Sequence, residues 1–127
     1  MLEGEFAAAA LDAIGIQEGR SRRSEIRPGL HYERYIGAAD DHGEFGCELW
    51  LRRAAGFKLQ AHVVVSPRIT WAVADKRKLG RCVFVVGHAP HGHRPASERA
   101  DIWDALLKVQ LGLREKYPGA RCYLLLD

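Results

Sequence analysis

Cysteine is scarce in this sequence, and its spacing excludes a disulfide framework. Cys47, Cys82 and Cys122 are an odd number and lie far apart, without a C-x-x-C pair. This pattern predicts reduced core residues of an intracellular protein. Long apolar segments are missing too: no run approaches the roughly 20 residues that span a bilayer, and the acidic start MLEGEF lacks a signal-peptide core. Secretion and membrane insertion are therefore not expected.

The sequence also lacks linkers and repeats. No tract of serine, glycine or proline divides it, and no internal repeat is present. Its 47% hydrophobic and 28% charged residues are typical of a globular chain. At 127 residues the chain is long enough for one domain with a buried core.

Lysine is the minor basic residue. The net charge is only +3, but 14 of the 19 basic residues are arginine. Two clusters stand out, the first comprising Arg20, Arg22, Arg23 and Arg27 and the second Lys76, Arg77, Lys78 and Arg81. The arginine fork suits phosphate because it donates two parallel hydrogen bonds. Either a solvated loop or a phosphate-binding surface explains each cluster.

Residues 3–57 predict one helix followed by strands. Alanine and leucine at 3–11 favour a helix, and IGIQE (14–18) reads as a short strand. HYERYIG (31–37) and FGCELWLRR (45–53) read as a hairpin around the turn-rich AADDHGE. The intervening arginine-rich segment is interpreted as a polar connection.

The rest of the chain predicts three strands, one helix and a closing strand. Strands at 58–65 and 69–74 are separated at Ser66 and Pro67, and a buried strand covers 81–87. Apolar residues at helical spacing then predict an amphipathic helix over 97–116, and CYLLL predicts a strand at 121–126. In such a strand–helix–strand unit the two strands are parallel, so His88 and Asp127 are expected to be neighbours.

Polar residues follow three of the predicted strands. Glu18 follows IGIQ, His88 follows VFVVG and Asp127 follows YLLL. Carboxylates at strand ends can approach one cation, and carboxylates with waters are the usual ligands of Mg²⁺. Ordinary strand-flanking polarity is the alternative, because strand ends are polar in most folds.

The segment HAPHGH has three open interpretations. His88, His91 and His93 have a spacing that could bind zinc, but the cysteines that could complete the site lie inside strands. A surface loop without a role is the second interpretation. The third is a loop whose imidazoles contact a phosphate or another substrate oxygen.

The ordered motifs IGIQEGR, FGCELWLRR, VFVVGHAPHG, DIWDALL and YLLLD resemble the amino-terminal half of the endonuclease/exonuclease/phosphatase superfamily, which includes apurinic endonucleases and DNase I-like and retroelement endonucleases. The order covers most of the chain and is most similar to the non-LTR retroelement branch. The resemblance implies an α/β (α+β) fold: half of a four-layer DNase I-like sandwich, with one mixed, mostly antiparallel sheet and helices on one face.

The resemblance also implies a site. Glu18 matches the glutamate of the family's QE pair, which binds Mg²⁺ or Mn²⁺. His88 and His91 match a loop motif in which asparagine is usual at the second position, and Asp127 matches the aspartate of GDxN, which orients the attacking water. The implied activity is metal-dependent hydrolysis of phosphodiester bonds in nucleic acid, with DNA as the expected substrate.

The departures from the family pattern concern asparagine and length. The sequence contains no asparagine, although the family uses it on its first strand, in the central loop and in GDxN. We therefore expect residues 1–127 to be a partial domain, truncated at both ends, with weak or no activity. A non-catalytic basic nucleic-acid-binding module and a gene fragment without function are the alternatives. A half-sandwich would expose an apolar sheet face, so either self-association or marginal stability is expected.

Overall fold

The computed structural model describes residues 12–17, 19–89 and 93–126. These residues form eight strands, one α-helix and a 3₁₀ turn at Arg53–Ala55. The helix α1 spans Ala96–Lys116. The strands, in chain order, are β1 (Ala13–Gln17), β2 (Glu25–Pro28), β3 (Tyr32–Ile36), β4 (Cys47–Arg52), β5 (Phe57–Ser66), β6 (Ile69–Lys76), β7 (Gly80–Gly87) and β8 (Arg121–Leu126).

The strands form two four-stranded sheets. The first has the order β1-β4-β3-β2 and is antiparallel throughout. The second has the order β5-β6-β7-β8 and is mixed, because β8 runs parallel to β7 while the other pairs are antiparallel. The parallel pair and the helix between its strands confirm the predicted strand–helix–strand unit.

The expected single sheet is corrected, because the chain contributes strands to two sheets. It leaves the first sheet at the 3₁₀ turn, where Gly56 adopts φ +75°, a left-handed conformation that glycine accepts without a steric penalty. The hairpin β5–β6 therefore starts a second sheet instead of extending the first.

The inner faces of the two sheets pack on each other. Leu49 and Leu51 of β4 meet Ala72, Phe84 and Val86 of the second sheet in one buried cluster. The prediction that a half-sandwich leaves an inner apolar face unpaired is therefore wrong, since each sheet covers the other. Burial of this kind contributes about 25 cal/mol per Å² of apolar surface and is the main source of stability.

The helix covers the outer face of the second sheet. Ile102, Leu106 and Leu113 are buried against a group of apolar strand residues that includes Val73 and Val85. The predicted amphipathic helix at 97–116 is thus confirmed. The predicted helix at 3–11 lies outside the described residues.

Two smaller predictions are corrected. β2 lies in the segment interpreted as a polar connection; three of its four residues are exposed, so it has no apolar alternation that sequence reasoning could detect. It forms because the backbone of β3 supplies hydrogen-bond partners. Cys47 and Cys82 are buried as predicted, but Cys122 is exposed, and all three cysteines are reduced.

Candidate functional site

His88 lies directly after β7, at the edge of the second sheet, and only 1% of its surface is exposed. Its backbone N–H donates to the carbonyl oxygen of Arg68 at 2.9 Å. The imidazole Nδ1 lies 3.2 Å from the carbonyl oxygen of Ala89. The thiol of Cys47 lies 3.2 Å from the same Arg68 oxygen, so the end of β7 and the starts of β4 and β6 are joined at one point.

Phe45 occupies the centre of this sheet edge. Its φ is +65°, an uncommon conformation for a residue other than glycine, and Gly46 follows with φ +94°. Neighbouring backbone groups hold this turn: Phe45 O accepts from Arg20 N at 3.0 Å, and Gly46 N donates to Pro67 O at 2.8 Å. The loops before β2, β4 and β6 therefore meet at Phe45.

The Phe45 ring contacts three polar side chains. The His88 imidazole meets it edge-on, with 5.2 Å between ring centroids and an interplanar angle of 88°. The guanidinium carbon of Arg68 lies 3.9 Å from the ring centroid, and that of Arg94 lies at 5.5 Å. Cation–π attraction of about 0.5–2 kcal/mol holds each guanidinium against the ring. We call Phe45, Arg68 and Arg94 the arginine platform.

Arg68 retains unused hydrogen-bonding capacity. Its Nη1 is buried and has no hydrogen-bond partner within the described ranges, and the same holds for Nε of Arg94. Arg94 forms an ion pair with Glu98 in the first turn of α1. Burial, followed by the charge of Arg94, lowers the pKa of Arg68, although a guanidinium stays protonated in proteins. A buried donor without a partner is unfavourable, and an anion at this position would relieve the cost.

A buried carboxylate lies on the first sheet near the end of β1. Glu48 is 7% exposed and is the cross-strand partner of Ile16. Its Oε1 accepts a hydrogen bond from Trp50 Nε1 at 2.9 Å, and Ser21 Oγ lies 3.4 Å from Oε2. A Cβ on Gly19 would lie 2.2 Å from Glu48 Oε2, so the carboxylate occupies space that only glycine leaves open. These contacts give Glu48 a structural role beside the site.

The strand ends converge as predicted wherever the structure describes them. Gly87 and Leu126 are register partners at the ends of β7 and β8. Gln17, at the end of β1, donates from Nε2 to Leu125 O at 3.1 Å. Glu18, His91 and Asp127, which follow or flank these ends, lie outside the described residues. Among the four predicted site residues, the structure therefore places His88.

The predicted metal ligand, Glu18, is one of the residues that the structure does not describe. Within 12–17, 19–89 and 93–126, no three His, Cys, Asp or Glu side chains converge to hold a metal ion. His93 is described and exposed, and the described cysteines lie within strands. The metal-binding role of Glu18 remains a prediction from the sequence.

The two basic clusters lie at opposite ends of the sandwich. Arg20 lies beside Phe45, and Arg22 and Arg23 are exposed in the adjoining loop. The second cluster lies around the β6–β7 turn at the far end, where Arg81 pairs with Asp75 at 2.9 Å and Lys76 lies 3.4 Å from Asp12. Arg20, Arg22 and Arg23 therefore lie at the end of the candidate site, whereas Arg27 pairs with Glu25 on β2 and the second cluster lies at the far end.

Sequence reasoning missed the arginine platform. Phe45, Arg68 and Arg94 stand alone in the sequence and belong to three separate loops. The signal available was positional: Arg68 follows the predicted break at Pro67, and Arg94 follows HAPHGH. Only the packing of the two sheets brings the three together.

Comparisons with known proteins show the fold. No protein-family model matches the sequence, and no curated protein matches it. Crystal structures of TDP2 from Caenorhabditis elegans are similar to it: the selenomethionine protein (TM-score 0.70), a truncated form (0.72) and a further structure (0.70), each at 11% identity.

These alignments cover 99% of this chain but only 40%, 52% and 40% of the respective TDP2 chains, so the chain spans about half of their length or less. No helix in the described part is long and apolar enough to cross a membrane. The structural match is a match of fold, and that fold agrees with the one implied by the resemblance seen in the sequence. The chain thus has the α+β, DNase I-like fold of these TDP2 structures, over part of their length.

Proposed function

We propose that this chain belongs to a metal-dependent phosphodiesterase of endonuclease type, which hydrolyses phosphodiester bonds of nucleic acid, with DNA as the preferred substrate. In this proposal Glu18 binds Mg²⁺ or Mn²⁺, and His88, His91 and Asp127 act at the scissile phosphate. The DNase I-like fold supports the reaction class. The arginine platform beside His88 is the observation that carries the proposal.

The platform has the chemistry of a phosphate site. Two guanidinium groups share one aromatic ring, and the buried Nη1 of Arg68 lacks a partner among the described residues. Arg52, by contrast, is paired with the carboxylate of Asp12 at 2.6 Å. A phosphodiester oxygen would satisfy Arg68 and would screen the repulsion between Arg68 and Arg94. The exposed Arg20, Arg22 and Arg23 would extend the contact along a nucleic-acid backbone.

His88 would act from a fixed orientation. Its backbone bond to Arg68 and its edge-on contact with Phe45 couple it to both parts of the platform. A phosphate held by Arg68 would therefore lie at a set distance from the imidazole, and positioning of this kind contributes substantially to phosphoryl-transfer rates. The bound metal ion would supply charge stabilisation on the phosphate oxygens.

Binding is expected to exceed turnover in the isolated chain. The chain spans half or less of the TDP2 chains, and it contains none of the asparagines that the family pattern uses. Loss of a single electrostatic donor can cost on the order of 100-fold in rate. We therefore propose a chain that binds nucleic acid with micromolar-range affinity and cleaves it weakly or not at all.

Two assays test the proposal. Nicking of supercoiled plasmid with and without Mg²⁺ measures cleavage, and fluorescence anisotropy with a labelled oligonucleotide measures binding. Arg68→Gln should weaken binding about tenfold, the value of one charge-assisted hydrogen bond. Arg77→Gln removes an equal charge from the far end and serves as the matched control. Any nicking should disappear in Glu18→Gln.

Equal binding by the Arg68 and Arg77 variants would contradict the phosphate site. Nicking that survives Glu18→Gln would contradict the metal assignment. The rival function, a non-catalytic basic module, is favoured by the three exposed arginines beside the platform. It predicts binding that falls steeply with salt, ignores Mg²⁺ and is accompanied by no nicking at any metal concentration.

A further inference from the structure

The two guanidinium groups of the arginine platform are not equivalent. Both lie against the Phe45 ring, but Arg94 has a carboxylate partner, since its Nη1 pairs with Oε1 of Glu98. Arg68 forms no ion pair among the described residues, and its buried Nη1 has no hydrogen-bond partner there. One of the two charges is therefore neutralised inside the protein, whereas the other is left for a ligand.

Glu98 acts on both cations from a fixed place in the fold. It lies in the first turn of α1, and the burial of Ile102 against the second sheet, one turn further, holds the helix there. Glu98 and Arg68 line the same open cavity of about 260 Å³, between α1 and the β5–β6 turn. Burial and the charge of Arg94 lower the pKa of Arg68, and the charge of Glu98 opposes them. A ligand that reaches Arg68 therefore lies in the field of this carboxylate.

Asp40 is a second carboxylate near Arg68, with a smaller effect on its pKa than Glu98. Its Oδ1 accepts hydrogen bonds from the backbone N–H groups of His42 and Glu44, at 3.0 and 2.9 Å. These bonds hold the loop that precedes Phe45. Asp40 therefore shapes the loop, while Glu98 is the carboxylate that pairs directly with the platform.

The phosphate groups of a nucleic acid differ in charge. An internal phosphodiester has one negative charge, whereas a terminal phosphate carries about −1.5 to −2 at pH 7. Repulsion from a nearby carboxylate grows in proportion to the charge of the ligand, and salt screens it only in part over a few ångströms. Two guanidinium groups and one carboxylate leave one net positive charge, which a phosphodiester balances and a terminal phosphate exceeds.

We propose that Glu98 is a specificity-determining residue, which matches the arginine platform to an internal phosphodiester and disfavours a terminal phosphate. This inference rests on the proposed phosphodiesterase function and narrows its substrate class to bonds within a strand. Specificity is a difference between two affinities, and a repulsive group contributes to it as much as an attractive contact does. Glu98 supplies the repulsive group.

An ion pair that only stabilises the start of α1 is the alternative. An acidic side chain in the first turn is favourable because of the helix dipole, and Arg94 precedes Glu98 by four residues. That role would change stability, and it would change the affinity for every phosphate by the same factor. The ratio of two affinities therefore separates the alternatives.

Fluorescence anisotropy with two labelled single strands measures this ratio. The strands are identical except at the 5′ end, which is a hydroxyl in one and a phosphate in the other, and the ratio is the dissociation constant of the first over that of the second. Glu98→Gln should raise the ratio about fivefold, because the terminal phosphate then meets two uncompensated guanidinium groups. Glu98→Asp keeps the charge and should keep the ratio within about twofold of the wild-type value.

Asp101→Asn is the matched control. Asp101 is exposed on the same helix and lines the same cavity, so the substitution removes an equal charge without freeing Arg94. It should change the ratio by less than about twofold. Adding Arg68→Gln to Glu98→Gln should return the ratio to the wild-type value, because the platform then again has one net positive charge.

An unchanged ratio in Glu98→Gln would overturn the inference and assign Glu98 to the stability of α1, which urea unfolding measures. An equal rise in Asp101→Asn would overturn it too, because general charge would then explain the effect. A wild-type chain that binds neither strand would contradict the proposed function itself, and this inference with it. Binding of both strands with a ratio that responds only to Glu98 and Arg68 would support both.

Discussion

Both ends of the sandwich are rich in arginine, but the cations are paired with carboxylates at one end and packed around an aromatic ring at the other. At the far end, Asp12 accepts hydrogen bonds from Arg52, and Lys76 lies within ion-pair distance of the same carboxylate. At the platform end, Arg68 and Arg94 lie against one ring, and Arg68 has a buried Nη1 without a partner in the described part of the chain. Paired cations stabilise the fold, whereas Arg68 and Arg94 offer buried donors that an anion would satisfy.

The largest expected effect comes from a residue that lies between the two ends, where the sheets approach most closely. Gly15 lies in the middle of β1, and a Cβ there would lie 2.8 Å from Leu125 Cβ and 3.4 Å from Val86 Cγ1. Gly15→Val should force the sheets apart and destabilise the fold by about 3 kcal/mol, the upper range of overpacking costs. Urea unfolding measures the loss, and binding of the oligonucleotide should fall with it.

Gly43→Val is the control for Gly15. Gly43 has open space around its Cβ position, although its φ of +74° still imposes a backbone cost. We expect Gly43→Val to cost about 1–2 kcal/mol, less than Gly15→Val. If the two variants unfold at the same urea concentration, β1 and β8 do not approach as closely as described.

The second prediction compares the effects of one arginine substitution at each end on affinity and on stability. Arg68→Gln should reduce oligonucleotide affinity about tenfold without lowering stability, because it removes a desolvated cation that faces Arg94. Arg52→Gln should do the reverse: it breaks the hydrogen bonds to Asp12, lowers stability by about 1 kcal/mol and leaves affinity unchanged. If both variants lose stability and both keep affinity, the contrast between the ends is wrong.

How much of the structure can be predicted from the sequence depends on how far apart in the chain the interacting residues lie. Strands such as β7 and the helix α1 were predictable because apolar periodicity is local and reports burial. β2 was not, since it is exposed and forms through its neighbour's backbone. At the site, His88 was predictable from its place after a buried strand. Phe45, Arg68 and Arg94 converge only through the packing of two sheets, which no local pattern encodes.

The third prediction concerns a histidine that belongs to neither end. His62 on β5 lies 3.0 Å from Thr70 Oγ1 and 5.5 Å from the Tyr35 ring, and burial lowers its pKa below the ordinary value of 6.5. The fold therefore favours the neutral imidazole, while the unfolded chain takes up a proton near pH 6.5. Stability should be complete above that pH and fall below it, by at most about 1.4 kcal/mol per pH unit for one proton.

Urea midpoints at pH 7.5 and 5.5 measure this dependence. His62→Gln should flatten the pH profile, whereas His42→Gln, at an exposed position, should leave it unchanged. Oligonucleotide affinity measured at low urea should show no matching break at this pH, because the His62 imidazole lies against Thr70 and Tyr35 and not among the groups of the platform. A pH dependence that persists in His62→Gln would assign the proton to another group.

The smallest effect is expected at the paired end in acid. The hydrogen bond from Arg52, with a smaller contribution from Lys76, lowers the pKa of Asp12 below the ordinary value of 3.8. The stabilisation is present above pH 3.8 and is lost as the pH falls through the folded-state pKa. The Asp12 side chain is 39% exposed, so solvent screening limits the pair to under about 1 kcal/mol.

Asp12→Asn should therefore lower the urea midpoint slightly at pH 7 and converge with the wild type near pH 2, while affinity for the oligonucleotide at pH 7 stays the same. A loss of affinity in this variant would mean that charge at the far end reaches the platform, and the two ends could then no longer be treated as independent.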